Sequence, residues 1–475
     1  MRQDAGRLRR LFGPLLALLT VAAITGGARA GEPIDAHEYT LDNGLQLLVI
    51  EDHRAPIVTH MVWYKVGAID EYAGKTGLAH FLEHLMFKGT PKVPAGELSK
   101  IVARNGGEDN AFTTSDYTAY YQQVAADKLP LVMGLEADRM VNLNIAPDEV
   151  DDERKVVIEE RRTRTDNSPP ALFGEQLDAV QFLAHPYRVP VIGWMHDIKS
   201  LTRADAMGFY KLHYAPNNAV VVVVGDVKAA DVKVLADKIY GVVPRKDVPQ
   251  RNLGNEPPQL AARQLVMKDA RVSEANWIRT YMAPSNQYGE TKYAVPLDVL
   301  NEILGGGTTS RLYQQLVVKQ KLAVSAGSSY GDDGLGPSTF AISVTPQHND
   351  TGPIPDAVDA VIEDVMKNGV TDEEMERAKR SLTAAAVYAR DSGIGLANIF
   401  GSALVRGRTV QDVLDWPDQV EAVTKEDVQA AARYVFVAEH SVTGELLPVE
   451  GASPPPGGAP AGPIPVGGGI MKEHP

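Results

Sequence analysis

The chain has 475 residues, a formal net charge of −14 at pH 7 and no cysteine. This length exceeds what one hydrophobic core usually organises, so two or more domains are expected, and the acidic balance argues against binding to nucleic acid or anionic lipid. The absence of cysteine excludes disulfides, thiolate metal sites, a cysteine nucleophile and a bacterial lipid anchor. Any metal would therefore need histidine and carboxylate ligands.

Residues 1–30 are predicted to be a secretory signal peptide. Four arginines precede an apolar run that extends from about residue 11 to residue 24, and small residues ending in Ala28-Arg29-Ala30 follow it. This order is typical of a signal cleaved after about Ala30. A membrane anchor is the alternative, but the run is shorter than the roughly 20 residues that span a bilayer. The sequence predicts a periplasmic or secreted protein without a stable membrane span.

Two halves that mix helices and strands follow the signal. Residues 31–240 begin with a hairpin signal at Asn43-Gly44, which accepts the positive φ angles of a tight turn. Alternating helical and extended patterns follow, among them an extended segment over residues 111–124 and a helix over residues 147–164. Residues 241–264 contain prolines and little periodicity, which predicts a linker. Residues 265–448 form the second half, and the Pro/Gly-rich residues 449–475 are predicted to be a disordered tail.

The most informative segment is residues 77–89, which read GLAHFLEHLMFKG. On a helix, His80 and His84 lie one turn apart on one face, where two imidazoles can share one zinc ion. Glu83 is too close in sequence to complete a tetrahedral ligand set easily. It is instead placed to act as a general base.

A catalytic zinc needs a third protein ligand, for which Glu160 is the best candidate. It lies on a helix predicted to begin near Pro147. Glu153 is seven residues earlier, hence on the same face, and Val156 and Val157 between them predict that this face is partly buried. A buried carboxylate pair needs a cation, which zinc beside Glu160 would provide, with Glu153 supporting a histidine ligand.

Two histidines at chance spacing are the alternative interpretation. A lone His-x-x-x-His pattern would favour it, but the inverted motif with glutamate at the fourth position is more specific. The acidic helix downstream and the secretory signal add to the metal-site interpretation. The glycine-rich run at residues 305–311 follows a helix and lacks the Gly-Lys-Ser/Thr ending, so it predicts a loop and no nucleotide site.

At these residues the sequence resembles the pitrilysin/insulysin family of HxxEH (inverzincin) zinc metallopeptidases. The resemblance covers residues 37–448 and includes a Glu-Arg-x-x-Val-x-x-Glu helix, whose first and last acids, here Glu153 and Glu160, are the family's supporting acid and third zinc ligand. Asn110 and Ala111 resemble the segment that offers a strand edge and an asparagine side chain to the peptide. Landmarks such as His185-Pro186-Tyr187 match as well.

The resemblance implies an α+β fold with two related LuxS/metallopeptidase-like α/β roll domains per chain, assembled into a clamshell dimer. It also implies one zinc ion per chain and cleavage of short or unfolded peptides. The main rival is a non-catalytic assembly or substrate-holding member of the same fold. Such members usually lose a metal-site residue, whereas His80, Glu83, His84 and Glu160 are all present.

One departure from the family concerns the second half. Self-sufficient members carry an arginine and a tyrosine, seven residues apart, which hold the substrate and stabilise the oxyanion. Here Val317 and Val324 occupy those places in residues 316–324, and valine donates no side-chain hydrogen bond. The chain therefore resembles the zinc-bearing subunit of bacterial two-subunit members. A heterodimer with a related chain carrying the Arg/Tyr pair is expected, with a homodimer as the alternative.

Overall fold

The computed structural model describes residues 34–451. The predicted signal peptide and all but the first residues of the predicted tail lie outside the described residues. Within residues 34–451 the fold is α+β with two sheets, as the sequence predicted. No helix in this range combines the length and the apolarity needed to cross a bilayer.

The first half forms a six-stranded sheet in the order β1-β2-β6-β3-β5-β4, in which only β2 and β6 pair in parallel. Its strands are β1 (Ala36–Thr40), β2 (Gln46–Glu51), β3 (Ile57–Tyr64), β4 (Glu108–Thr113), β5 (Thr118–Ala125) and β6 (Ala219–Gly225). Its helices are α1 (Leu78–Leu85), α2 (Glu97–Arg104), α3 (Leu129–Asn142), α4 (Pro147–Arg161), α5 (Pro169–Gln181), α6 (Met195–Ile198), α7 (Arg203–His213) and α8 (Ala229–Ile239).

The second half forms a five-stranded sheet in the order β7-β11-β8-β10-β9, in which only β7 and β11 pair in parallel. Its strands are β7 (Arg263–Asp269), β8 (Asn276–Ala283), β9 (Ala323–Tyr330), β10 (Ser338–Pro346) and β11 (Ser441–Pro448). Its helices are α9 (Ala294–Gly305), α10 (Ile354–Asn368), α11 (Asp372–Ala389), α12 (Gly393–Val405), α13 (Val410–Leu414), α14 (Trp416–Ala422) and α15 (Lys425–Val435). In the described stretch between Ile239 and Arg263 there is no helix or strand.

The hairpin at Asn43-Gly44 is confirmed. Gly44 has φ +88°, the left-handed region that a side chain would oppose, and β1 pairs antiparallel with β2. The Asn43 amide also donates to the backbone carbonyls of Tyr240 and Val243, 2.8 Å away in both cases. The turn residue thus ties the first hairpin to the end of α8.

Strand β6 explains how the halves pack together. Its valines are buried on both faces of the sheet, so both faces must be covered. On one face lies the core that contains α1, with Leu78, Leu82 and Leu85 fully buried. On the other face α12, from the second half, packs against β3 and β6. Helix α5, from the first half, packs against β7 and β11 of the second sheet. Each sheet is therefore covered in part by a helix from the other half.

Two segments differ from the sequence prediction. The stretch predicted as extended over residues 111–124 is two strands, because Thr114 and Tyr117 close a tight turn between β4 and β5. The Thr114 hydroxyl accepts from the backbone N–H of Asp116, a local side-chain bond that stabilises turns over strands. The predicted helix over residues 147–164 changes to π-helical hydrogen bonding over Arg162–Asp166.

Candidate metal centre

Helix α1 presents the histidine motif and begins at a restricted backbone position. Gly77 precedes it with φ +83°, and a Cβ there would lie 2.4 Å from the carbonyl oxygen of Ile192. The carboxylate of Glu71 accepts from the backbone N–H groups of Gly77 and Ala79, at 2.8 Å each. A carboxylate at this position satisfies donors that have no partner within the helix and stabilises the helix dipole. No pattern in the sequence indicated this role of Glu71.

Three predicted donor atoms converge at one point. The Nε2 atoms of His80 and His84 are 3.3 Å apart, and Oε2 of Glu160 lies 3.6 Å and 3.3 Å from them, respectively. Two atoms bound to one tetrahedral zinc at about 2.0–2.2 Å would themselves be roughly 3.3–3.6 Å apart. The side chains fit a metal ion without rearrangement, and at most 10% of each is exposed.

Glu160 is held from its other side as well. Its Oε1 atom lies 3.1 Å from Nη1 of Arg164, which the π-helical turn after α4 carries. The turn itself is anchored by Arg161, whose guanidinium donates to Glu175 and to the carbonyl of Gly193. Arg164 therefore orients Glu160 with Oε2 toward the two histidines. No pattern in the sequence indicated Arg164, because its position depends on the change in helix type.

Glu153, which was predicted to support a histidine ligand, lies within hydrogen-bonding distance of His84. Its Oε1 atom is 2.8 Å from Nδ1 of His84, and its Oε2 atom accepts from Nζ of Lys88 at 2.6 Å. Burial raises the pKa of Glu153, but the hydrogen bonds with His84 and Lys88 outweigh it and lower the pKa. Burial lowers the pKa of His84, but its hydrogen bonds with Glu153 and Glu160 raise that pKa to about 9. A proton therefore competes with a metal ion at His84.

The prediction that Val156 and Val157 share the partly buried face of α4 is wrong for Val156. Val157 is fully buried, whereas Val156 is 51% exposed. Adjacent helix residues are separated by about 100° around the axis, so only one of the pair can share the face of Glu153. Val150, Val157 and Arg161 are the residues that accompany Glu153 on the buried side.

Glu83 lies beside the donor atoms and is almost entirely buried, with 2% exposed. The hydroxyl of Thr113, the last residue of β4, donates to its Oε2 atom at 2.5 Å. Strand β4 is an edge of the first sheet, as the sheet order within residues 34–451 shows. Asn110 and Ala111 lie on this strand, and the Asn110 side chain accepts from the N–H of Ala111 at 2.8 Å.

The second half, as far as residue 451, holds no comparable group of histidines and carboxylates. Within residues 34–451, the only set of three histidines and carboxylates whose ligand atoms lie within 4.8 Å of one another is His80, His84 and Glu160. Val317 and Val324, which stand where the resembled family carries an arginine and a tyrosine, both have apolar side chains. Val324 is 56% exposed on β9. The described part of the chain thus contains one candidate metal centre, in its first half.

A helix with the order His-x-x-Glu-His, completed by a carboxylate from a second helix, defines a metal site of the inverted zincin type. Residues 46–193 match the family described as Insulinase (Peptidase family M16), and residues 200–382 match the Peptidase M16 inactive domain. The chain belongs to peptidase family M16.

Individual relatives agree with this assignment. A Helicobacter pylori protein named zinc protease PqqE is 34% identical over 91% of this chain and 98% of its own length. An uncharacterized zinc protease of Mycobacterium tuberculosis is 35% identical over 79% of this chain and 85% of its own. The crystal structure of a protease from Helicobacter pylori has a TM-score of 0.81 and 33% identity, and the match covers 88% of this chain and 100% of that one.

Proposed function

We propose that this chain is a zinc-dependent endopeptidase or oligopeptidase that cleaves short or unfolded peptides. One zinc ion per chain would be held by His80, His84 and Glu160. The observation that carries the proposal is the triangle of donor atoms, whose sides of 3.3–3.6 Å suit one tetrahedral ion. Bound there, zinc would polarise the peptide carbonyl and acidify water.

Glu83 would act as the general base and then as the acid. Its carboxylate, whose Oε2 atom accepts from the Thr113 hydroxyl, would take a proton from water and deliver it to the leaving amine. Burial of Glu83 supports this role, because a dry environment strengthens electrostatic interactions with the reacting groups. Glu153 and Lys88 would keep the His84 ring oriented during the reaction.

The peptide would bind along the outer edge of β4. An edge strand has outward-facing N–H and C=O groups, so an extended peptide can add to the sheet through main-chain hydrogen bonds. Asn110 and Ala111 would contact it there. Binding through main-chain hydrogen bonds depends on few peptide side chains, which agrees with cleavage of unfolded peptides of varied sequence.

A related partner chain would supply the missing oxyanion and substrate contacts. Neither Val317 nor Val324 has a polar side-chain atom, and loss of one oxyanion donor typically costs about 10²–10³ in turnover. We therefore expect a heterodimer with a chain that carries the Arg/Tyr pair. The predicted signal peptide would place the pair in the periplasm or outside the cell.

The test is cleavage of a quenched fluorescent, unfolded peptide by the zinc-loaded chain beginning at residue 31. The chain is assayed alone, with the related partner, and as Glu83→Gln in both settings. Activity that requires the partner and is abolished in Glu83→Gln, with bound zinc retained, supports the proposal. Full activity alone overturns the need for a partner. Zinc binding without cleavage in the complex overturns the catalytic role and indicates a non-catalytic member.

A further inference from the structure

Thr113 connects the edge strand to the buried carboxylate beside the metal site. The two side chains come from elements that are 30 residues apart, and both are almost fully buried, with 4% of Thr113 and 2% of Glu83 exposed. The separation of 2.5 Å lies in the range of a hydroxyl hydrogen bond to an ionised carboxylate, which is about 2.5–2.7 Å. Such a bond holds one carboxylate oxygen and favours the charged form of the glutamate.

The position of the Thr113 hydroxyl is itself constrained. A β-branched side chain has few χ1 rotamers, so the hydroxyl follows the backbone of the strand. That backbone pairs with β5 through the register Thr113↔Thr118 and continues directly into the turn at residues 114–117. The turn is held in place by Arg406, from the second half, which donates to Asp116. Several independent contacts therefore determine where the donor to Glu83 lies.

Thr113 is also two positions after Ala111, so the two side chains lie on the same face of β4. The strand whose outer edge would receive the peptide thus ends in the hydroxyl that contacts Glu83. A displacement of β4 along its length would move the edge and the hydroxyl together.

We propose that Thr113 is the positioning residue for Glu83, and that it couples the placement of the peptide on β4 to the orientation of the base. The inference rests on the proposed peptidase function. Thr113 would hold Oε2 of Glu83 and favour one rotamer of the carboxylate. It would touch neither the peptide carbonyl nor the metal.

The test compares Thr113→Val, which has the same shape without the donor, with Thr113→Ser, which keeps the donor. Thr59→Val is the matched control, because Thr59 is a buried strand threonine, 1% exposed, whose hydroxyl accepts from the Gln123 amide and faces Gly393 of α12. Helix α12 covers the face of the sheet opposite α1 and the metal site. We expect kcat of Thr113→Val to fall roughly 10–100-fold, a part of the 10²–10⁴ that a positioned acid–base group contributes. KM and zinc affinity should stay within about threefold, because the orientation of the base affects the chemical step alone.

Thr113→Ser should recover kcat to within about threefold of the unmodified chain, and Thr59→Val should not lower it. A full kcat in Thr113→Val, or a serine variant as impaired as the valine variant, overturns the inference. So does a fall in kcat explained by an equal loss of bound zinc.

A crystal structure of the zinc-loaded Thr113→Val variant provides a measurement independent of activity. Glu83 should occupy more than one rotamer there and a single rotamer in the unmodified chain. If the unmodified chain cleaves no peptide in the complex, the proposed function fails, and the Glu83 rotamers still decide whether Thr113 positions it. A single unchanged rotamer in the variant overturns the positioning role.

Discussion

The Nε–H group of Arg406, the residue that follows α12, donates to Oδ2 of Asp116 at 2.8 Å and joins the second half to the turn that ends β4. Asp116 is 3% exposed, and the hydroxyl of Tyr187 donates to its other oxygen at 2.6 Å. Burial lowers the pKa of Arg406, but Asp116 and the neighbouring charges outweigh it, so the guanidinium stays charged. The edge strand of the metal site is therefore anchored by an ion pair between the halves.

Asp116→Asn should destabilise the protein, because it removes the carboxylate that forms the ion pair with the buried Arg406 guanidinium. Breaking a buried pair typically costs about 3–5 kcal/mol, so the free energy of unfolding measured in urea should fall by about that amount. Asp152→Asn is the control, since its pair with Lys155 is exposed on both sides. It should leave the free energy of unfolding unchanged. Equal stability of the two variants would show that the Asp116–Arg406 pair does not hold the halves together.

Glu160→Gln and Glu159→Gln form a matched pair of adjacent substitutions on α4. Glu160 faces His80 and His84, whereas Glu159 is 65% exposed and pairs with Arg162. Glu160→Gln should lose most of its bound zinc after dialysis, because a neutral amide is a poor substitute for a carboxylate ligand. Glu159→Gln should keep one zinc ion per chain by elemental analysis. Full zinc content in Glu160→Gln would remove Glu160 from the ligand set.

Glu153→Gln should weaken zinc binding without removing a ligand. Partners that orient a metal-binding histidine typically contribute 10–100-fold in affinity, so competition with a chromophoric chelator should show a loss of about that size. Glu149→Gln is the control, because Glu149 also approaches Lys88, at 3.7 Å, whereas the hydrogen bond to His84 comes from Glu153. An unchanged zinc affinity in Glu153→Gln would mean that the contact with His84 does not support the site.

Gly401→Ala should loosen the packing of α12 on the first sheet. A Cβ at Gly401 would lie 2.2 Å from the indole of Trp63, which is fully buried. Overpacking of this kind typically costs about 1–3 kcal/mol, and urea unfolding followed by tryptophan fluorescence would measure it. Gly208→Ala is the control on α7, because a Cβ there meets nothing within 4 Å. Alanine at position 208 should be neutral or slightly stabilising, since glycine is a poor helix former.

The carboxylate of Glu374 accepts two hydrogen bonds from the Arg311 guanidinium, at 2.7 Å each. These bonds should make the free energy of unfolding depend on pH in the acid range. Burial raises the pKa of Glu374, but Arg311 and the cap residue Thr371 outweigh it and lower the pKa to about 2. Because the folded pKa lies below the ordinary value of 4.5, this stabilisation is present above about pH 4.5 and is lost as the pH falls toward 2.

Glu374→Gln should therefore be less stable than the unmodified chain at pH 7. The difference in free energy of unfolding should shrink when the two proteins are compared by urea unfolding at about pH 5 and then at about pH 4. Glu373→Gln is the control on the same first turn of α11, because Glu373 is exposed. A difference that stays constant across this pH range would contradict the role assigned to the Arg311 pair.

The sequence by itself determined the features that depend on residue spacing within a single helix, strand or turn. The spacing of His80, Glu83 and His84 places their side chains close together on any α-helix. The seven-residue spacing of Glu153 and Glu160 likewise places both on one face of α4. The Asn43-Gly44 turn and the run of five valines in strand β6 are equally local features. The family resemblance added the connection between the two helices, and the converging donor atoms agree with it.

The side-chain contacts between different helices and strands were decided only by the tertiary structure, because no sequence periodicity links those elements. Thr113 meets Glu83, Arg164 holds the outer oxygen of Glu160, and Arg406 reaches Asp116 from 290 residues away. Val156 was misplaced because two adjacent valines carry the same apolar signal, and only packing selects which one is buried. The periodicity of apolar residues shows which face of a single helix or strand is buried. How that face is placed against another element depends on side-chain packing in the core.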